Sequence, residues 1–473
     1  MKTNNSLHII ILFTISIFLS ACSTKDLAID KPQNLIPQTW SKDAAYKEIT
    51  LLDKSETLLW ENMILDEKLK EVIKISLNQN RSLKEAVANI ESARATYRVQ
   101  KASELPSFTA EVAGSKARSL NTSSSNNSTS NSESYSASVE VSSYELDFFG
   151  KARYASLSDF ESFLSVEQAQ RTVRISLIAE VSNAWLTMAA DKSLLDYAKK
   201  TSLSSKKSLD IIEARIKAGI DSKATLYDEQ TTYYQALADI EKYTTLVAQD
   251  QNALDLLVGQ KVPEQLLPSQ LNEKTEYLSA IPLGLSSDIL LGRPDILEAE
   301  HNLKAANANI EVARAAYFPS ITITSAAGIA STALSNLFTG GAASVWSFAP
   351  NISIPIFDWG SKDASLDYAK AQSDLYLAKY ELAIQTAFSE VSNALARYGT
   401  IENQLKAQEN LVNAHKNSFF LAEKRYKLGV DTYLNTLISQ RSLYSSEQSL
   451  ISLRLAKISN RATLYKVLAN DVK

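Results

Sequence analysis

The sequence contains few residues that interrupt helices. Its 473 residues include only 12 glycines and 10 prolines, whereas Gly and Pro together make up roughly 12% of average proteins. The single cysteine, Cys22, excludes an internal disulfide framework. A net charge of −4 and the lack of a basic cluster argue against binding of nucleic acid. The composition is therefore compatible with very long helices.

Residues that could carry catalysis are also scarce. His8 lies in the N-terminal apolar run, and His301 and His415 fall on predicted helices without cysteines or paired carboxylates at metal-ligand spacing. We therefore expect His301 and His415 at the surface. The sequence has no phosphate-binding loop or nucleotide motif. These absences predict a protein that is not an enzyme and that uses no cofactor or metal.

The chain repeats itself. The segment Glu180–Ala184 recurs letter for letter as Glu390–Ala394, which is 210 residues later. Three further residues recur at the same spacing: Arg215, Gly219 and Asp221 match Arg425, Gly429 and Asp431. Self-similarity at a fixed period indicates a tandem duplication of one long unit.

The N-terminus resembles a secretory signal. An apolar run over residues 9–19 follows Lys2 and is too short to cross a membrane comfortably. It ends in Leu-Ser-Ala-Cys, which resembles a bacterial lipoprotein cleavage box. That resemblance implies removal of residues 1–21 and attachment of lipid, including palmitate, to Cys22. Ser23, which is not an aspartate, favours sorting to the outer membrane. The alternative is an ordinary signal peptide with a chance cysteine.

Each copy is predicted to begin with a helix that stops before a proline. These helices cover residues 64–105 and 295–317, and Pro106 and Pro319 follow them. After each proline the apolar period changes to two, which predicts β-hairpins at 106–147 and 319–356. The stretch 119–134 is almost entirely Ser, Asn and Thr, so we expect a mobile, solvated loop there.

The predicted strands have one apolar and one polar face. In the last strand, for example, Trp346, Phe348 and Ile352 alternate with Ser347 and Asn351. This pattern is typical of transmembrane β-strands, although a soluble sheet with one buried face would share it. Four strands cannot close a barrel, and an open sheet edge cannot be exposed to lipid. If the strands span a membrane, the barrel must therefore be oligomeric.

Long helices follow the hairpins. The region 361–416 has no proline and predicts a helix of about 55 residues, roughly 80 Å long. Its counterpart in the first copy is the region 151–201. Two apolar lines at coiled-coil spacing run along the later helix: Ile384, Val391, Tyr398, Leu405 and Val412, and Tyr380, Ala387, Ala394 and Ile401. Such helices suit a periplasmic coiled coil.

Several blocks resemble the signature of the outer-membrane factor family, the TolC-like exit ducts. Gly292-Arg293-Pro294-Asp295-Ile296 and the segment from Ala313 to Ile321 carry the resemblance in the second copy. The segments 144–151 and 355–360 resemble the strand-to-helix junctions of that family. The similarity extends over nearly the whole chain after residue 21. It is specific to the lipoprotein branch that works with resistance–nodulation–division pumps.

The resemblance implies an α+β membrane protein. Three chains would form a homotrimer whose twelve-stranded β-barrel, with four strands per protomer, stands on a long periplasmic α-helical coiled-coil tunnel. The segments are expected to be a signal peptide (1–21), a lipidated tether and equatorial segment (22–63), repeat 1 (64–260), a linker (261–294) and repeat 2 (295–473). Implied partners are outer-membrane lipid, a periplasmic adaptor (membrane fusion) protein and an inner-membrane pump of the resistance–nodulation–division class.

Two helical turns carry the implied site residues. Arg-x-x-x-Gly turns in the family contact the adaptor, which implies docking through Arg215, Gly219, Arg425, Lys427 and Gly429. Each glycine also permits a left-handed helix end, with Asp221 or Asp431 as the next N-cap. Relatives narrow the pore just after the second turn, which implies a constriction at Leu434, Ile438 and, as a weaker candidate, Asp431. Ile438 replaces the family's aspartate, and a plain core role for it stays open.

The implied function is that of a passive duct in a tripartite multidrug efflux pump, in the outer membrane of a Gram-negative bacterium. Exit of proteins by type I secretion, through the same fold, is an alternative. A periplasmic structural coiled coil is a third possibility, which the paired alternating strands disfavour.

Overall fold

The computed structural model describes residues 36–37, 40, 43–46, 59–121, 128–272, 275–279 and 287–469. The proposed signal peptide and Cys22 lie outside these residues. Five elements per copy dominate: a shorter helix, two strands and two long helices. In chain order the helices are α1 (Trp60–Met63), α2 (Glu67–Gln79), α3 (Arg81–Ala102), α4 (Lys151–Lys217), α5 (Lys223–Val258), α6 (Pro294–Ala315), α7 (Ser361–Lys427) and α8 (Tyr433–Leu468). None of these helices combines the length and apolar character needed to cross a membrane.

The four strands form one antiparallel sheet in the order β1-β2-β3-β4. Their bounds are β1 (Thr109–Asn121), β2 (Ser128–Glu145), β3 (Ser320–Ser331) and β4 (Ala343–Ser353). The predicted mobile loop at 119–134 is wrong over most of its length, because β1 and β2 continue into it. The hydroxyls of Ser119 and Ser130 are hydrogen-bonded at 3.1 Å, and Lys116 pairs with Glu133. Cross-strand pairs of this kind stabilise a ladder even where the residues have low strand propensity.

The chain contains two compact units. Ile90–Val166 and Ala299–Tyr380 contribute the sheet and adjoining helical segments to the first. The second includes Glu167–Glu298 and Glu381–Lys473. Within the second unit the predicted coiled-coil seam of α7 is confirmed, since Ile384, Val391 and Ala387 are buried.

The first predicted helix is not continuous. Asn80 has an extended backbone between α2 and α3, with φ −56° and ψ 133°. Its side-chain oxygen accepts from the Leu83 backbone N–H at 2.8 Å, and its amide donates to the Leu257 carbonyl at 2.8 Å. Asn80 therefore caps α3 and joins it to the end of α5. The helical spacing of apolar residues alone does not predict this interruption.

The long helices are longer than predicted. Helices α4 and α7 each contain 67 residues and reach Lys217 and Lys427, beyond the predicted ends at residues 201 and 416. At 1.5 Å per residue each is roughly 100 Å long. Both run to the Arg-x-x-x-Gly turns without a break, because the intervening residues are good helix formers and include no proline.

Candidate functional site

The two helical turns share one backbone geometry. Gly219 follows α4 with φ 74°, and Gly429 follows α7 with φ 71°. In each turn the N–H after the glycine donates to the carbonyl of the preceding arginine: Ile220 to Arg215 at 2.9 Å and Val430 to Arg425 at 3.0 Å. These bonds satisfy carbonyls left free at a helix end. The left-handed glycine expected from the sequence is therefore present in both turns.

The aspartates of the turns are not N-caps. Ser222 caps α5, since its hydroxyl accepts from the Thr225 N–H at 3.3 Å, and Thr432 stands at the cap position of α8. Asp221 and Asp431 instead pair with the arginines of their own turns. The Arg215 Nε lies 2.7 Å from Asp221, and the Arg425 Nε lies 3.2 Å from Asp431. Each ion pair spans six residues and closes the turn over its glycine.

The first turn is tied to the second helix pair, which the repeat pattern did not predict. The Tyr426 hydroxyl donates to Asp221 at 2.5 Å, and the Arg215 guanidinium lies 4.8 Å from the Tyr426 ring centre. Tyr426 has no repeat counterpart, because Ile216 stands at its position in the first copy. The side chain of Arg215 is consequently 27% exposed, against 59% for Arg425. Only the arginine of the second turn is therefore largely open to a partner.

The contact between Tyr426 and Asp221 shifts the pKa values of both side chains. Burial acts to raise the pKa of Asp221, but the hydrogen bonds from Tyr426 and Arg215 outweigh it, so that the pKa lies below its ordinary value. Burial, with the neighbouring Asp221 carboxylate, raises the pKa of Tyr426 to about 12. At neutral pH the pair is thus a phenol donating to a carboxylate, which is a strong type of hydrogen bond.

Two further tyrosine–carboxylate contacts follow along the helices. The Tyr433 hydroxyl donates to Glu229 at 2.6 Å, and the Tyr444 hydroxyl donates to Asp239 at 2.9 Å. Glu229 is fully buried, and burial raises its pKa in spite of the bond from Tyr433. In every contact the tyrosine belongs to the second copy and the acid to the first. We call Tyr426–Asp221, Tyr433–Glu229 and Tyr444–Asp239 the tyrosine–carboxylate ladder.

The candidate constriction residues lie one turn apart on α8. Leu434 and Ile438 are each 54% exposed within the chain, whereas the intervening Leu437 is buried. Neither candidate is therefore part of the buried core of its own chain. Asp431 is held by its neighbours: its carboxylate accepts from Asn435 at 2.7 Å and from the Thr432 N–H at 2.8 Å. The Asn435 bond, followed by that of Thr432, lowers its pKa.

The surface of the turns is apolar at its outermost points. Ile220, Leu428 and Val430 flank the two glycines and are exposed. Apart from the glycine and its two chain neighbours, no heavy atom of the described residues lies within 4 Å of a Cβ built on Gly219 or Gly429. Lys427 pairs with Glu423 at 2.8 Å, within its own helix. The turns therefore present apolar and basic side chains with free space around them.

The sheet has one apolar and one polar face, as predicted. Register places Val112 opposite Ala137, Val139 opposite Ala327, and Ala327 opposite Trp346 on the same face. The other face carries Ser, Thr, Ala and the carboxylates of Glu111 and Glu140. At residues 141–144 of β2 the register shifts, and Ser143 has φ 55°. This bulge returns Tyr144 to the apolar face, where its hydroxyl donates to the Glu104 carbonyl at 2.9 Å.

One histidine differs from expectation. His301 is mostly buried, and its Nδ1 lies 2.6 Å from the Glu161 carboxylate on α4. The predicted surface position of His301 is therefore wrong, because a carboxylate 140 residues away in sequence is its neighbour. Within the described ranges, no three His, Cys, Asp or Glu side chains are arranged to hold a metal ion.

Sequence comparison places the chain in a family. A model of the outer membrane efflux protein family matches residues 72–260 and 285–470, once per copy. The chain belongs to this family, whose members are efflux ducts of the outer membrane. The probable efflux pump outer membrane protein TtgC of Pseudomonas putida is 41% identical over 439 residues, 92% of this chain and 90% of that protein. The outer membrane protein OprJ of Pseudomonas aeruginosa is 36% identical over 437 residues, again 92% and 90%.

Solved structures agree with this assignment. A membrane protein from Pseudomonas aeruginosa superposes with a TM-score of 0.86 at 34% identity, over 93% of this chain and 99% of that one. The open state of the MtrE outer membrane channel of Neisseria gonorrhoeae superposes with a TM-score of 0.83 at 32% identity. The match covers 93% of this chain and 97% of that one. The predicted fold class, family and outer-membrane location are thereby confirmed.

Proposed function

We propose that three copies of this chain form the outer-membrane duct of a tripartite efflux pump for toxic small molecules. The observation that carries the proposal is the sheet. Among the described residues β1 and β4 each have one strand neighbour, and the apolar face of the sheet is open to solvent in the single chain. A lipid-exposed sheet must close on itself. Three such sheets would supply twelve strands, which is within the range of known barrels.

The relatives supply the substrate class. Three of them, all from Pseudomonas putida, are named as the outer membrane proteins of an antibiotic, a toluene and a solvent efflux pump. We infer similar small, apolar or amphipathic cargo for this chain. These names favour efflux over protein secretion, and membership of a channel family disfavours a purely structural coiled coil. The duct would conduct passively, so an inner-membrane pump of the resistance–nodulation–division class and a periplasmic adaptor would supply the energy and the connection.

The helical turns are the proposed gate and docking surface. An apolar ring of Leu434 and Ile438 from three chains would seal the narrow end by close packing and dewetting. Arg425, Lys427 and Gly429 in the second turn, with Arg215 and Gly219 in the first, would contact the adaptor. The 59% exposure of Arg425 supports docking through the second turn, whereas Arg215 is engaged by Tyr426. Asp431 is engaged by Asn435 and Arg425, which supports a role in shaping the turn rather than in lining the pore.

The lipid anchor and the segment boundaries also stay proposals. Cys22 would be acylated after removal of residues 1–21. The tether would then run to the second unit, where the Trp40 ring stacks on Phe388 at 5.0 Å between centroids. Mass spectrometry of the mature N-terminus tests this directly, and an unmodified Cys22 would contradict it.

Two measurements test the assembly and its activity. The protein purified in detergent should have the mass of three chains and a mainly helical spectrum, and a monodisperse monomer with the same spectrum would refute the shared barrel. Expression in a strain that lacks its own efflux duct, together with the cognate adaptor and pump, should reduce accumulation of a fluorescent pump substrate. The same strain without the pump serves as the control, because a passive duct alone should not lower accumulation.

A further inference from the structure

Parts of three helices in the second unit enclose an open groove of about 650 Å³. The end of α2, the start of α3 and a stretch of α4 supply its walls. Lys74, Lys84, Arg171 and Arg174 line the groove, and none of its described lining residues is an aspartate or glutamate. The whole chain has a net charge of −4, so this basic groove is a local feature and not a consequence of composition.

Apolar side chains lie between the basic ones. Leu77, Leu83 and Val87 also line the groove. Leu83 is only 7% exposed and forms the floor, whereas Val87 is 47% exposed. A flat lipid surface touches protruding side chains, but a side chain as deep as Leu83 is reached only by a molecule or a chain that enters the groove. An apolar lining with a few charged groups around it is typical of a ligand site.

Lys84 and Arg171 are the cations that matter for binding. Lys84 donates to a neutral side-chain amide at the end of α2, at 3.0 Å, so its charge is not neutralised. Arg171 contributes the second charge from α4. Lys74 is already paired with Glu71 at 3.7 Å, and Arg174 makes other polar contacts, so neither is counted. Helix α3 has no acidic residue in its first turn, so the positive end of its dipole also favours an anion in the groove.

The second copy of the duplicated unit lacks both cations. At the spacing of 213 residues that holds in this part of the repeat, Leu297 corresponds to Lys84. At the spacing of 210 residues, Glu381 corresponds to Arg171, so that the charge is reversed. The packing of the duplicated helices therefore does not require a cation at either position. Two cations that occur in one copy only, beside an accessible apolar floor, indicate a binding role.

We propose that this groove binds the acidic peptides of the bacterial cell wall and so attaches the protein to the layer that it crosses. The protein extends from the outer membrane into the periplasm, which contains the peptide-bearing glycan network of the wall. These peptides carry free carboxylates and alanine methyl groups. The Arg171 guanidinium can hold a carboxylate through two parallel hydrogen bonds, Lys84 adds a second cation, and the methyl groups fit against Leu83 and Val87. This attachment is a function separate from conduction.

Co-sedimentation with insoluble cell-wall sacculi tests the proposal. The purified full-length protein in detergent is mixed with native sacculi, with sacculi whose carboxylates have been amidated, or with sacculi from which an amidase has removed the peptides. We expect binding to native sacculi that weakens as salt is added, and about tenfold weaker binding to the other two preparations. This comparison uses only the wild-type protein, so it decides the proposal even where a variant fails to assemble.

Charge variants test whether the groove makes the contact. Lys84→Gln with Arg171→Gln should weaken binding to native sacculi about tenfold, and Arg171→Glu, which introduces the residue of the second copy, should weaken it as well. Lys199→Gln with Lys207→Gln is the matched control, because it removes two exposed charges at least 25 residues farther along α4. The control should bind like the wild type. All three variants should keep the helical spectrum and the efflux of the wild type.

Several results would overturn the proposal. Equal binding to native and amidated sacculi would show that carboxylates are not recognised. Unchanged binding of the groove variants, or an equal loss in the Lys199 and Lys207 control, would show that the groove is not the site. Binding to phosphatidylglycerol vesicles that the groove variants lose, without binding to sacculi, would assign the groove to a membrane surface instead. None of these results changes the efflux of the wild type, so a failure of the attachment is distinguishable from a failure of the proposed duct.

Discussion

The Tyr426 hydroxyl donates a 2.5 Å hydrogen bond to Asp221, and so joins the second copy of the duplicated unit to the turn of the first. The Asp221 carboxylate also accepts a hydrogen bond from the Arg215 Nε–H at 2.7 Å. One carboxylate therefore organises its own turn and the neighbouring helix pair at once. If the turns form the narrow end of the duct, this contact holds that end closed.

Removal of the Tyr426 hydroxyl should loosen the turns. A hydrogen bond to a charged group contributes about 1.5–3 kcal/mol, so Tyr426→Phe should raise single-channel conductance in planar bilayers and sensitise cells to large antibiotics such as vancomycin. Tyr444→Phe is the matched control, because Tyr444 makes the same type of bond to Asp239 farther from the turn. Equal conductance of wild type and Tyr426→Phe, with normal assembly, would show that this contact does not restrain the gate.

Acid should have a similar effect through Asp221. Its pKa in the folded protein is depressed below the ordinary 3.8. A depressed pKa means that the contact stabilises the structure fully above the unfolded pKa and loses its effect as the pH falls through the folded pKa. Conductance should therefore stay level from neutral pH to about pH 5 and rise only below the ordinary pKa of aspartate. Asp221→Asn should already conduct more at neutral pH and lack this rise, and an unchanged acid response in that variant would assign the effect to another group.

The sequence predicted the repeated architecture well because its signals are local and periodic. The heptad spacing of apolar residues in α7 predicts its buried seam, and the glycine of each turn predicts the left-handed end of its helix. Both signals lie within a few neighbouring residues of the sequence. The ladder was missed for the opposite reason. Tyr426 and Asp221 are 205 residues apart, and although Asp221 belongs to the repeat, the repeat does not pair it with Tyr426. A partial signal did exist, since Tyr426 replaces an isoleucine of the first copy and thereby breaks the repeat. His301 was misplaced in the same way, because its partner Glu161 is distant in sequence.

A pair of acids in the second unit should limit stability at high pH. Burial, and then the neighbouring Asp191 carboxyl, raises the pKa of Asp250 to about 7 from 3.8. Since the folded state holds this proton more tightly, stability falls as the pH rises between those values. Asp250→Asn removes the charge, so it should raise the melting temperature at pH 8 and change it little at pH 4. Asp210→Asn, at an exposed position, should show no such dependence, and a destabilising effect of Asp250→Asn at pH 8 would contradict the assignment.

A side chain at Gly429 should disturb docking without widening the pore. The site has free space around a built Cβ, so the cost of Gly429→Val is that of the left-handed backbone, about 1–2 kcal/mol. We expect reduced efflux and weaker adaptor cross-linking, with wild-type conductance in the isolated duct. Gly429→Asn is the control, because asparagine tolerates this conformation and should retain efflux. Loss of efflux in both variants would point to a direct contact of the glycine with the adaptor rather than to the shape of the turn.

The proposed apolar ring gives the most direct test of the gate. Leu434 and Ile438 project from one side of α8 and are equally exposed, whereas Leu437 between them is buried against Tyr433 and Ile212. In a trimer three copies of each exposed side chain would face one axis, so truncation should remove the close packing that excludes water. Leu434→Ala should raise conductance, and Leu434→Ala with Ile438→Ala should raise it further and admit vancomycin. Leu437→Ala should act differently, because a cavity in the helix pair costs about 2–5 kcal/mol of stability. If the two exposed truncations leave conductance unchanged while the trimer assembles normally, the constriction lies elsewhere in the duct.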